Sequence, residues 1–341
     1  MINTVKDTLL LMKDSTRSRL FSNARIPLAD ALIAHLDLRG VQRIIHGKPN
    51  TIVIVTRNMV VRVPLDKLSE TRCRVNNMML KKLTKTSIAS LVPRSLEVGK
   101  FNGLTYYCES RHPGVAIDLP ISRMDDMVVK AADFITKFHQ ETARDIMIDE
   151  SNFKRLFGRE FARFYPYLDD GYRMKLKTIE DSLKKELIGK PFKTVWLHGD
   201  YKIENILFDT KKWQIRGIID WDLSRREGLP LLDIFYLLVY NEKILTKKNL
   251  TDIFAHIFFD FTANDNKIIG RYRGLTKISN QFLKPMLVMA WITHIVERCK
   301  QQFIINPPLH AEWLVSAVYS KIDIVLEIYR KESGISRENF K

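Results

Sequence analysis

Acidic residues are in short supply in this 341-residue chain: 39 Asp and Glu stand against 55 Lys and Arg, a formal net charge of +16. Cysteine is rarer still. Cys73, Cys108 and Cys299 lie far apart with no C-x-x-C pair, which excludes a disulfide framework and a cysteine-based zinc site and suits a reducing compartment. No stretch reaches the ~18 consecutive apolar residues of a membrane span. The longest, Met286 to Ile292, continues into Thr293, His294 and Glu297 and reads as a buried helix. The first residues lack the order of a secretory leader, so a cytoplasmic protein is expected. Glycine and proline, 14 and 12 residues, are too few for a collagen-like repeat, and 45% hydrophobic with 28% charged residues is not the composition of a disordered chain. The basic excess is scattered in pairs such as Lys81/Lys82, Lys184/Lys185 and Lys247/Lys248. No nucleic-acid-binding motif accompanies them, so they read as solvated faces and no nucleic-acid partner is expected.

What is present has a clear order. Thr4 to Met12 and Leu28 to Leu36 carry apolar residues at helical spacing, with Pro27 as a helix start, so residues 1–40 read as a helical extension. From Val41 the chain changes character. Val41–Ile45, Thr51–Thr56 and Met59–Val63 are β-branched runs, the last two joined by Arg57-Asn58. A helix is expected over Thr71–Leu83, then two strands, Arg94–Lys100 and Thr105–Glu109, around the turn Asn102-Gly103. Residues 41–111 thus read as a five-stranded antiparallel sheet with an inserted helix. His112-Pro113-Gly114 reads as a hinge, and residues 112–341 as a larger, mainly helical region. Within it Asp126–His139, Phe153–Tyr167, Ile179–Leu187 and the chain from Leu232 onward are expected to be helical. One strand-rich island interrupts them: Thr194–Leu197, Ile206–Phe208 and Ile215–Ile219.

That island carries the chemistry. It reads Leu197-His198-Gly199-Asp200-Tyr201-Lys202-Ile203-Glu204-Asn205, and later Ile218-Ile219-Asp220-Trp221-Asp222. A carboxylate and a carboxamide five apart on a loop, with a second carboxylate at a strand end fifteen residues on, suit phosphoryl transfer. One group must orient and deprotonate an attacking hydroxyl, and hard oxygens must hold Mg²⁺ on nucleotide phosphates. Asp200 is the expected base, and Asn205 and Asp220 are the expected metal ligands. The plain alternative makes them turn and strand-end carboxylates.

These residues resemble the H-G-D-x-x-x-x-N loop and I-D-W-D/E segment of the aminoglycoside phosphotransferase and choline kinase-like family, which has the bilobal protein kinase-like fold. Gly47, Asn50 and Thr51 match its phosphate-side turn, and Val60 to Pro64 looks like its third strand. Glu109 with Pro113-Gly114 is similar to its hinge, Phe138-His139 to a helix ending, and Gly228-x-Pro230-x-x-Asp233 to a further family segment. The resemblance implies an α+β fold, with a small sheet-and-helix N-lobe and a larger helical C-lobe. It implies ATP as phosphoryl donor, with GTP as the alternative, and Mg²⁺. Arg62 takes the place of the cation that pairs the nucleotide phosphates, and the base lies near the backbone of Glu109, Ser110 and Arg111. His198 and Asp233 are implied to support the loop. Lys202 either balances charge on the transferring phosphate or is a solvent-facing lysine. One position departs from the family: Asn76 stands where a helix Glu orients the cation, and Glu70 is the substitute the sequence offers.

The expected reaction moves the γ-phosphate to a hydroxyl of a small molecule. The alternatives are a kinase of a protein or of a large glycan or lipid-linked acceptor, and a nucleotide-binding scaffold without turnover. Asp233 follows Asp222 by only eleven positions, which leaves no room for a peptide-docking activation loop. Lys247, Lys248, Lys267, Arg271 and Arg273 belong to a basic C-terminal half that favours a sugar or other neutral or anionic acceptor over a polycation.

Overall fold

The computed structural model describes residues 18–47, 50–116, 124–209, 211–248, 250, 253–254, 261–305 and 318–333. The chain divides into two compact units, Met1–Pro113 and Gly114–Lys341. The helix expected over Thr4–Met12 lies outside the described residues.

In the first unit the strands β1 (Arg43–Gly47), β2 (Thr51–Val55), β3 (Met59–Pro64), β4 (Ser95–Phe101) and β5 (Leu104–Ser110) form one antiparallel sheet, ordered β1-β2-β3-β5-β4. Strand alternation sorts its side chains to two faces. Ile52, Ile54, Val61, Val63, Tyr106 and Cys108 point to one face and pack with Ala29 and Leu32 of helix α1 (Ser18–His35). Pro27 lies inside α1 and not at its start. An interior proline forfeits one backbone hydrogen bond, and the buried Ala29 and Leu32 offset the loss.

The opposite face carries Arg62, Tyr107 and Glu109, because Val60 pairs with Glu109 and Arg62 with Tyr107. Helix α2 (Lys67–Leu83) packs on β3 and β5. It begins four residues earlier than its apolar spacing suggests, because Asp66 and Ser69 close a capping box at its N-terminus.

The second unit is helical around two small sheets. Helix α3 (Met124–Thr142) is followed at once by strand β7 (Arg144–Met147). A broken helical stretch comes next: α4 (Glu150–Phe153), a π-turn (Lys154–Gly158), α5 (Arg159–Phe164) and a 3₁₀ turn (Tyr165–Tyr167). The sequence reads Phe153–Tyr167 as continuous, and the π-turn is what breaks it. Helix α6 (Asp170–Leu187) starts at an Asp169 cap and leads into β8 (Pro191–Leu197). Strands β9 (Ile206–Asp209), β10 (Gln214–Ile218) and β6 (Val115–Ala116) form a three-stranded sheet ordered β10-β9-β6. A second sheet, β11-β8-β7, is completed by β11 (Arg225–Gly228). Helices α7 (Leu232–Thr246), α8 (Ala263–Thr276), α9 (Leu283–Ile305) and α10 (Ser320–Ser333) follow. No described helix is long and apolar enough to cross a membrane.

Strands β7 and β11 have no counterpart in the sequence reading. Arg-Asp-Ile-Met and Arg-Arg-Glu-Gly carry no alternating apolar pattern; they are strands because β8 offers each of them an open backbone edge.

Candidate functional site

The loop after β8 is held from below by one buried carboxylate. Asp233, at the first turn of α7, accepts the backbone N–H of His198 at 2.8 Å and of Gly199 at 2.9 Å. His139, at the end of α3, donates its Nε2–H to the same carboxylate at 3.2 Å, and its Nδ1 accepts from the Tyr272 hydroxyl at 2.7 Å. Burial pushes the Asp233 carboxyl up, but the His139 hydrogen bond, the nearby histidines and the Gly199 N–H outweigh it and hold the group below the usual carboxylate range. Gly199 sits at φ +86° with the carbonyl oxygen of Leu223 only 2.2 Å from where a Cβ would lie, so no other residue fits.

Both nitrogens of His198 are used. Nε2 donates to the Ile219 carbonyl at 2.9 Å, and Nδ1 accepts the Asp200 N–H at 3.3 Å. The ring ties the loop to the segment after β10 and has no position left for proton transfer. Two buried aromatics complete the frame: the Tyr201 hydroxyl donates to Ala131 O of α3 at 2.8 Å, and the Trp221 ring lies 4.5 Å from His198.

On this frame Asp200, Lys202 and Asn205 converge. Lys202 Nζ meets Asp200 Oδ2 at 2.7 Å. Asn205 Nδ2 donates to the Asp200 carbonyl at 2.9 Å and to Oδ2 at 3.2 Å, which turns its own Oδ1 away as a hard acceptor. The Ile219 N–H donates to Asn205 O at 3.0 Å, fixing Asp220 next to the loop. Asp220 is in the left-handed region at φ +69°, a conformation of raised energy for a non-glycine residue and one that concentrates at functional positions. A carboxamide oxygen and a carboxylate are the hard donors that Mg²⁺ takes alongside phosphate oxygens and water. Among the described residues no cluster of three or more His, Cys, Asp or Glu is arranged to hold a metal by itself.

Burial pushes the Lys202 ammonium down, but Asp200 outweighs it and the net shift is upward. Lys202 also lies 5.2 Å over the Tyr240 ring. The Tyr240 phenol is pushed up to about 12 by burial and by Asp200. His294 is buried and lowered to about 3, by burial first and then by Arg298, Lys243 and Lys202. None of Tyr240, His294 and Arg298 belongs to a motif, so the sequence does not single them out.

In the first unit Arg62 and Glu109 come together. Arg62 Nε and a terminal guanidinium nitrogen donate to Glu109 Oε1 at 3.2 and 3.1 Å, while Asn76 Nδ2 donates to Glu109 Oε2 at 2.7 Å. The carboxylate that orients the cation therefore comes from β5, and the helix supplies a carboxamide that holds that carboxylate. Glu70 does not take the part the sequence offers it; its carboxylate accepts from Thr105 at 3.4 Å. Glu109 is 6% exposed and acts through its side chain, a role legible only once the strand register is known.

The other residues matched to nucleotide binding sit at two turns. Gly47 closes β1 opposite Thr51, and Asn50 precedes β2 with its carbonyl accepting from Leu65 at 3.0 Å. Ser110 ends β5 and Arg111 follows it, but their N–H groups already donate to Arg94 O and Asn58 O at 2.8 Å each. The Arg111 guanidinium clasps the β2–β3 turn through Thr56 O at 2.9 Å. A base recognised there would meet carbonyls, because those two donors are taken.

Residues 40–261 match the phosphotransferase enzyme family. The chain also resembles solved aminoglycoside phosphotransferases. A thermostable mutant of aminoglycoside phosphotransferase APH(4)-Ia is 17% identical at a TM-score of 0.54, with 89% of this chain and 99% of that one covered. The GDP complex of aminoglycoside 2'-phosphotransferase-IIIa is 14% identical at a TM-score of 0.55, covering 90% and 99%. At these identities the likeness is one of fold, and the fold is protein kinase-like. Among curated proteins, acyl-CoA dehydrogenase family member 11 of Mus musculus is 31% identical over 75 residues, 22% of this chain. The matched stretch spans only 8% of that relative.

Proposed function

The chain belongs to the phosphotransferase enzyme family, and we propose that it moves the γ-phosphate of ATP to a hydroxyl of a small neutral or anionic molecule. The observation that carries this reading is Asp200, held by Lys202 and Asn205 on a loop pinned to buried Asp233. Asp200 accepts the proton of the acceptor hydroxyl. The acceptor oxygen then forms its bond to the γ-phosphorus as the bond to the leaving ADP oxygen breaks. Lys202, already beside Asp200, supplies positive charge for the transferring group. Asn205 and Asp220 are the residues suited to hold Mg²⁺, which neutralises phosphate charge when bound. Arg62, oriented by Glu109, pairs with nucleotide phosphates.

Charge supports this acceptor class. Lys202, Lys243 and Arg298 act on His294 against one carboxylate, Glu297, and such a field favours an anion or a neutral molecule over a polycation. The test is ADP release with Mg-ATP against sugars, sugar phosphates, amino alcohols and aminoglycosides, with thermal stabilisation by Mg-ATP read in parallel. The expected result is stabilisation by Mg-ATP and saturable ADP release with a sugar or sugar phosphate. Saturation by an aminoglycoside at low concentration would overturn the acceptor class, and silence toward every nucleotide would overturn the activity.

Glu109→Gln tests the first unit alone. It keeps shape but removes the charge facing Arg62, and hydrogen bonds to charged groups contribute about 1.5–3 kcal/mol. Mg-ATP affinity by calorimetry is expected to fall about tenfold or more, with partial recovery when Asn76→Glu returns a carboxylate from the helix side. Equal affinity in wild type and Glu109→Gln would remove Arg62 from nucleotide binding.

A further inference from the structure

The second unit gathers cationic side chains at a place the residues above do not use. A cavity of about 420 Å³ opens among β7, the π-turn, α5 and β11, and Arg144, Arg155, Arg159, Arg225 and Arg226 line it. That volume lies in the range of small-molecule sites. The only acids in its wall are Glu160 and Glu227, a net charge of +3. Glu160 is buried and occupied on both sides, by Arg163 at 2.6 Å and Arg225 at 2.7 Å; Glu227 is taken by Arg155. Arg144, Arg159 and Arg226 remain, and among the described residues none of them meets a carboxylate. Arg226 is instead positioned by the Trp196 ring, 5.0 Å from its guanidinium carbon.

Arginine side chains gathered around one concavity repel one another, and a planar guanidinium fork binds a phosphate through paired hydrogen bonds. The floor is apolar, with Leu197, Leu229 and Leu232. Arg155 lies within the π-turn and Arg159 follows it at once, at the kind of helical irregularity that recurs at functional sites. A smaller concavity of about 20 Å³, room for a single water, shares Leu197, Arg225, Leu232 and Thr293 with this one and adjoins Gly199 of the Asp200 loop. Asp200 is three residues beyond Leu197, so the two Cα atoms lie within ~11 Å of each other.

We infer that this cavity binds a phosphate monoester group carried by the acceptor, so that the substrate is a small molecule already phosphorylated once and the product carries two phosphates. The inference rests on the phosphotransferase reading and narrows it. A reaction that supplies the substrate must therefore be an earlier phosphorylation or a phosphate-ester transfer.

The test titrates a panel of hexose and pentose phosphates, the matching free sugars, and orthophosphate into wild type and into Arg159→Gln/Arg226→Gln. Both residues are exposed, and thermal melting checks that the variant is folded. One sugar phosphate is expected to bind wild type saturably and at least about tenfold more weakly in the variant. In turnover, KM for that acceptor rises with kcat little changed, and Mg-ATP affinity is the same in both proteins. Equal binding by both proteins, binding of no sugar phosphate, or free sugars accepted as well as their phosphates overturns the inference. So does orthophosphate bound as tightly as the sugar phosphate with no ADP release, which would make the cavity an effector site. Failure of wild type to bind Mg-ATP strikes the phosphotransferase reading instead, and the Mg-ATP control separates the two.

Discussion

Asp200→Asn is expected to lower kcat by about 10²- to 10⁴-fold, the usual contribution of a positioned general base and about 3–5 kcal/mol of barrier, with Mg-ATP binding within a few-fold of wild type. The carboxamide is nearly the same size, so the backbone bonds from Asn205 Nδ2 to Asp200 O and from Asp200 N–H to His198 remain in place. What goes is the group able to accept the hydroxyl proton and the counter-charge at 2.7 Å from Lys202. The Lys202 side chain is 23% exposed, so its ammonium is left largely out of water without a partner and some melting temperature is lost as well. Asparagine is the better substitution than alanine for that reason, because it limits the structural loss while removing the chemistry. Single-turnover phosphoryl transfer and calorimetry of Mg-ATP on the same preparation check it. A kcat within tenfold of wild type would take the base role away from Asp200.

Asp233→Ala is expected to cost about 3–5 kcal/mol of folding stability, the range for removing one partner of a buried charged network. It strips the acceptor from the His198 and Gly199 N–H groups and from His139 Nε2 at once, and the space is too enclosed for water to replace it freely. Against a total stability of roughly 5–15 kcal/mol this is expected to loosen the Asp200 loop even where the unit stays folded. Turnover should therefore fall although Asp233 touches no substrate. The pH dependence has a definite sign. The folded Asp233 carboxyl lies below the unfolded value of about 3.9, so the unfolded chain takes up the proton first. Its contribution is complete above about pH 5 and is lost progressively as pH falls through the unfolded value and then the lower folded value. Urea melts between pH 3 and 7 should show this acid loss in wild type and a flatter limb in Asp233→Ala; parallel limbs would mean that other groups carry it.

The His198–Asn205 loop that carries the proposed base was legible as a candidate site from the chain alone because its logic is local. His198 to Asn205 and Ile218 to Asp222 are short runs whose spacing already fixes what can sit beside what, and strand-like residues flank both. The five-stranded sheet was legible for a similar reason, since its strands alternate and its turns carry Asn102-Gly103 and Arg57-Asn58. Periodicity is a property of neighbours in sequence, and neighbours in sequence are what a sequence displays.

The partner of Arg62 is different. Asn76 at the expected helix position suggested a cation without its carboxylate, and Glu70 looked like the nearest remedy. The answer is 47 residues away, in the register that sets Val60 opposite Glu109. A slip of one residue would turn Glu109 to the other face, and no local pattern records register at that precision. The same holds for β7 and β11, which become strands only because β8 lies open beside them, and for Pro27, whose place inside a helix is decided by the packing of Ala29 and Leu32. Arginines at 144, 155, 159, 225 and 226 read along the chain as dispersed solvent-facing charge. Folding brings them to one cavity, and only there does their mutual repulsion, with too few carboxylates to relieve it, become a statement about a ligand.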